Sequence, residues 1–124
     1  MIDFKDFRAE NGSPIYVQIV KHVKRRIASG AIANGDEIIS RRSLSALLGI
    51  NPNTVQKAYA ILESEGLISS HSGAASYAVV NSEAVKRIRS EMLEDDISSV
   101  VSSLKQMNLT KEEALDLIER MWCE

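Results

Sequence analysis

Between Leu48 and Val55 the chain reads Gly49-Ile50-Asn51-Pro52-Asn53-Thr54, and this stretch most narrows what it can fold into. Ser40 can cap a short helix running through Leu48, with Leu44, Leu47 and Leu48 expected to face inward, and Gly49 is a natural stop. Asn51 is a good cap for the next helix. Pro52 takes its first position, where the missing N–H costs nothing, so this proline begins a helix instead of breaking one. Val55, Ala58, Tyr59 and Leu62 then recur at i, i+3, i+4 and i+7, and Gly66 ends the run. The second of these helices thus begins after a turn of only a few residues.

The flanking sequence completes the pattern. Ser13-Pro14 is expected to open an earlier helix with Ser13 as its cap, and Tyr16, Ile19, Val20, Val23 and Ile27 give it one apolar face before Gly30. The connector Ala31-Ile32-Ala33-Asn34-Gly35-Asp36-Glu37-Ile38 reads as turn-rich. After Gly66 the segments Leu67–His71 and Ser76–Val80 read as extended arms around Ser72–Ala75, a β-hairpin. The expected fold is mainly α with a small β-hairpin: a winged helix-turn-helix domain over residues 1–80, then a two-helix tail over 81–124.

In that tail a helix is predicted from about Ser82 to Met107. A second opens at Thr110, where Thr110 and Glu113 have capping-box spacing, and runs to about Trp122. Two helices folded on each other cover only part of their apolar stripes, so a second copy of the chain is the simplest further partner. Leu93, Ile97, Val100, Val101, Leu104, Leu115, Ile118, Met121 and Trp122 are the residues expected to form a homodimer contact.

Charge is distributed unevenly. The 124 residues carry a net charge of −2, but residues 14–60 hold seven Lys or Arg against two acids, and residues 81–124 hold six against ten. Such asymmetry suits one region that meets a polyanion and one that does not. No apolar run of about 18 residues could span a membrane, and the N-terminus is too polar for a signal peptide, so a cytoplasmic address is expected. A single cysteine, Cys123, and two scattered histidines offer neither disulfide nor metal cluster. No cofactor is implied. No nucleophile–base pair or phosphate loop stands out, so an enzyme is not expected.

The run from Pro14 to about Val79 resembles the DNA-binding domain of the GntR family of bacterial transcription regulators. The pieces that carry the likeness are PIYVQI, IASGAIANGDEI, SRRSLSALLGI, NPNTVQKAYAILESEGLI and the hairpin after them. The helical tail is short for an effector-binding domain, and the chain as a whole looks like the YtrA subfamily. The resemblance implies a sequence-specific homodimeric regulator, a repressor of an operon of the ABC-transporter type, acting on double-stranded operator DNA. Whether a small-molecule effector exists is left open.

Residue by residue, Ser40 and Arg42 match the serine and arginine of the motif that begins the second helix. Asn53 and Thr54 match the polar pair that opens the recognition helix, about Pro52–Glu65, which belongs in the major groove. Asn51 borders that pair, though capping alone explains it. One turn on, Gln56 suits adenine and Lys57 suits phosphate or guanine. Tyr59 matches a family aromatic and reads as core. Lys21, Lys24 and Arg25 share a face that reads as solvated.

At the wing this chain departs from the family. His71, Ser72 and Gly73 occupy the DNA-facing turn, yet only Gly73 keeps the family's glycine, and the usual basic residues are absent. Two missing cations per subunit remove about four from a dimer, at about 0.9 of salt slope per neutralised phosphate. A shallow salt dependence is expected. The rival reading is a winged-helix protein-interaction module that has lost DNA binding.

Overall fold

The computed structural model describes residues 4, 7, 9, 10, 12–70 and 75–124. In chain order they form α1 (Ile15–Ala28), β1 (Glu37–Ile38), α2 (Arg41–Leu48), α3 (Pro52–Ser64), β2 (Ile68–Ser70), β3 (Ser76–Ala78), α4 (Ser82–Gln106) and α5 (Lys111–Trp122). Two compact units result, Met1–Ser90 and Glu91–Glu124. The first unit takes in the opening turns of α4, on which Ala84 and Ile88 are buried.

α1 departs from expectation at its start. Pro14, with extended backbone at φ −60° and ψ 145°, holds the cap position and makes no side-chain cap bond. Ser13 is therefore not the cap. The Pro14 carbonyl accepts from the amides of Val17 and Gln18, while the Ser13 carbonyl accepts from Gln18 Nε2 at 2.8 Å. The same Gln18 amide exchanges two bonds of 2.8 Å with the Glu10 backbone, fastening the approach to the helix.

α2 corrects a second expectation. Leu44 is buried and Leu48 half-buried, but Leu47 is 62% exposed. At 100° per residue, Leu44, Ser45 and Leu48 define the inward arc and Leu47 falls outside it. Ser45 is buried in its place, donating from Oγ to the Ile50 carbonyl at 2.6 Å and so tying the helix to the turn that follows. Gly49 ends α2 in the left-handed region, φ 65°, where a side chain would be strained.

The three strands form one antiparallel sheet in the order β1-β3-β2. β1 lies in the segment expected to be only a connector, with Glu37 opposite Tyr77 and Ile38 opposite Ser76. A two-residue strand has no periodicity to betray it. What holds it is non-local: the Gly35 amide donates to the Ala78 carbonyl at 2.8 Å, and the Ala78 amide to that of Asp36 at 2.7 Å. The hairpin arms pair as Ile68–Ala78, Ser69–Tyr77 and Ser70–Ser76. The turn between them, 71–74, lies outside the described residues.

α1, α2 and α3 meet the sheet around Ile19, Val23, Ile27, Ile38, Leu44, Val55, Tyr59, Leu62 and Leu67, all buried. In the second unit, Asn108 turns the chain at φ 58° and Thr110 caps α5 with the full reciprocal box to Glu113. Leu93, Ile97, Val100, Val101, Leu115, Ile118, Met121 and Trp122 are exposed in the single chain, Trp122 to 84%, and Leu104 is half-buried. Among the described residues no helix is long and apolar enough to cross a membrane.

Candidate nucleic-acid interface

α3 presents two opposite faces. Val55, Ala58, Tyr59 and Leu62 are buried, which leaves Asn53, Gln56, Lys57 and Ala60 exposed along the other side. Thr54 is half-buried between the two. Three polar residues at i, i+3 and i+4 on a helix only 13 residues long make a face that fits a groove and can hydrogen-bond base edges.

The start of α3 is less open to phosphate than the sequence suggests. Asn51 Oδ1 accepts from the Asn53 amide at 2.8 Å, and the Asn51 carbonyl accepts from the amides of Thr54 and Val55 at 3.0 and 3.5 Å. Pro52 has no amide hydrogen. Asn51 and Pro52 together thus consume the donors that a helix start would offer to an anion. Base and phosphate contacts from α3 fall to its side chains.

α2 differs. Its cap, Ser40, accepts from the Ser43 amide at 3.1 Å through Oγ, and the same hydroxyl donates to Ser43 Oγ at 2.9 Å. The amides of Arg41 and Arg42 find no acceptor among the described residues. With the exposed Arg42 side chain beside them, they leave this end suited to a phosphate.

Not every cation in the basic segment faces outward. The count over residues 14–60 stops short of Glu63 and Glu65. Lys24 Nζ lies 2.9 Å from Glu65 Oε1, and Arg41 Nη2 lies 3.9 Å from Glu63 Oε2. Lys57, although exposed, holds its ammonium 4.1 Å from the centroid of the Tyr16 ring on α1. Lys21, Arg25 and Arg42 remain exposed.

Tyr59 fixes the site from below. Its hydroxyl donates to the Ile39 carbonyl at 2.6 Å, immediately before the Ser40 cap. Burial pushes its phenol far above the usual tyrosine range, and the nearby Arg41 charge offsets this only partly. His71, Ser72 and Gly73 lie outside the described residues. Arg41 and Tyr16 carried no motif signal, because their roles depend on partners distant in sequence.

Comparison with known proteins agrees with this fold. The profile of "Bacterial regulatory proteins, gntR family" matches residues 15–77. The chain is 33% identical over 97 residues to the "HTH-type transcriptional repressor YtrA" of Bacillus subtilis (strain 168), covering 78% of this chain and 70% of that protein. Its fold is similar to that of a GntR family transcriptional regulator from Listeria monocytogenes, with a TM-score of 0.78 at 26% identity over 90% of this chain and 98% of that one. It is also similar to the AraR DNA-binding domain in complex with operator ORE1, with a TM-score of 0.51 at 27% identity over 59% of this chain and 94% of that one. These relatives are regulators, not enzymes. The chain, with its helix-turn-helix inside the matched residues, belongs to the GntR family of bacterial DNA-binding transcriptional regulators.

Proposed function

We propose that this protein is a homodimeric repressor that places one α3 in the major groove of each half-site of a pseudo-palindromic operator. The observation that carries the reading is the exposed Asn53, Gln56 and Lys57 face opposite the buried side of α3. Arg42 adds a phosphate or guanine contact from the start of α2, while Ser40 and Asn51 serve chiefly as caps. A second copy covers the apolar residues exposed along α4 and α5, and its two-fold axis sets the half-site spacing. Likeness to a repressor of known name supports repression, and the regulated operon is proposed to be of the ABC-transporter type.

The test is a fluorescence anisotropy titration of the full-length protein. Its probes are a duplex recovered from random-sequence DNA by repeated selection and a scrambled duplex of the same composition. The selected duplex should bind at least about a thousandfold more tightly at physiological salt. Equal binding of both, or none at low salt, would favour a protein-interaction module instead.

A further inference from the structure

Arg41 and Arg42 are adjacent in sequence but face different ways, since successive residues on a helix are turned by about 100°. Arg42 is exposed; Arg41 is directed into the domain. Its guanidinium carbon lies 5.2 Å from the centroid of the Tyr59 ring, Nη2 reaches Glu63 Oε2 at 3.9 Å, and the same nitrogen makes a long bond of 3.4 Å to Ser70 Oγ. Ser70 Oγ in turn lies 3.1 Å from the hydroxyl of Ser76, which is buried. One side chain on α2 thereby touches α3 and the first arm of the hairpin directly, and the second arm through Ser70.

Arg41 holds this position at a cost. Its Nε is buried with no hydrogen-bond partner among the described residues, a loss that a solvated arginine would avoid by swinging outward. The ring face of Tyr59 and the Glu63 carboxylate must outweigh that loss. Tyr59 also grips the carbonyl of Ile39, so the chain on either side of Ser40 is fastened to the same aromatic residue.

We infer that Arg41 is a positioning residue for DNA recognition, locking the start of α2, the reading helix α3 and the base of the wing into one geometry without touching DNA itself. This rests on the operator reading above. It assigns the twin arginines opposite tasks: Arg42 contacts the polyanion, and Arg41 holds Arg42 and α3 in register.

The experiment compares wild type, Arg41→Met, Arg41→Lys and Arg42→Ala, each full length, in salt-dependent anisotropy titrations on the selected and scrambled duplexes. Arg42→Ala should make the salt dependence shallower by about 0.9 for each phosphate that the variant no longer neutralises. Arg41→Met should keep the wild-type slope on scrambled DNA while losing about tenfold in discrimination between the duplexes. Arg41→Lys keeps the charge but not the planar fork, and should recover part of that discrimination.

If circular dichroism shows that Arg41→Met does not fold, Glu63→Gln combined with Ser70→Ala removes two of the three ties from their outer ends and leaves the Tyr59 ring contact in place. That double variant should likewise lose discrimination at constant slope. A slope for Arg41→Met as shallow as for Arg42→Ala would overturn the inference by making Arg41 a direct contact. Undiminished discrimination in whichever inward-tie variant folds would overturn it too. Equal binding of both duplexes by wild type would instead sink the operator reading.

Discussion

The Lys57 ammonium lies 4.1 Å from the centroid of the Tyr16 ring, so a residue on the exposed face of α3 is also a link to α1. Such a contact contributes about 0.5–1 kcal/mol at an exposed site. Lys57→Met and Tyr16→Leu should each lower stability by about that much, measured as a shift of the urea midpoint at constant slope. Only Lys57→Met should also make DNA binding less salt-dependent, by about 0.9 per subunit. An unchanged salt slope would mean that Lys57 serves the fold alone.

Tyr59 predicts an alkaline loss of stability. Above about pH 10 an unfolded tyrosine releases its proton, whereas the buried Tyr59 phenol, its ionisation pushed well above that range, keeps it. The folded state then binds more protons than the unfolded state, and stability falls as pH rises, by up to about 1.4 kcal/mol per pH unit. Below about pH 10 the full contribution is present. Tyr59→Phe removes this part of the pH dependence and also costs about 1–3 kcal/mol near neutrality, because the Ile39 carbonyl loses its donor. Urea midpoints of both proteins on either side of pH 10 check the sign; an unaltered alkaline slope in the variant would contradict it.

Asn51 separates capping from readout. Asn51→Ala should cost about 0.5–2 kcal/mol, since the Asn53 amide loses its acceptor, while Asn51→Ser keeps a capping oxygen and most of the stability. Operator affinity should follow the same order. If Asn51→Ser is stable yet loses operator binding, the carboxamide touches DNA directly.

Assembly can be tested on α4 alone. Ile97 and Val101 are exposed one turn apart, and burying each such side chain is worth about 1.5–3 kcal/mol. Ile97→Glu with Val101→Glu should weaken self-association at least about a hundredfold, read by sedimentation equilibrium, and should leave the thermal signature of the first unit in place. A double variant that remains dimeric would place the contact elsewhere.

The helix-turn-helix was legible because its signals are local: Ser40, Gly49, Asn51 and Pro52 act within one turn of themselves, and Val55 to Leu62 repeat at the helical period. β1 was not legible, since Glu37 and Ile38 owe their conformation to Tyr77 and Ser76, which lie far along the chain. Leu47 faces outward against expectation because hydrophobicity alone does not say where the inward arc of an eight-residue helix ends. In the candidate site, exposed polar residues could be named from the recognition-helix pattern. The direction of Arg41, the seat of Lys57 on Tyr16 and the consumption of α3's free amides by Asn51 depend on three-dimensional neighbours that spacing does not encode.

The central claim, one α3 per half-site of a two-fold operator, is tested most directly by a hydroxyl-radical footprint of the full-length protein on the selected duplex, read beside that of Asn53→Ala. The account predicts two protected half-sites related by a dyad, their centres about one helical turn or a whole multiple of it apart. It also predicts that Asn53→Ala loses both together at a protein concentration that saturates wild type. A single protected stretch without two-fold symmetry, or a footprint that Asn53→Ala leaves intact, would contradict it.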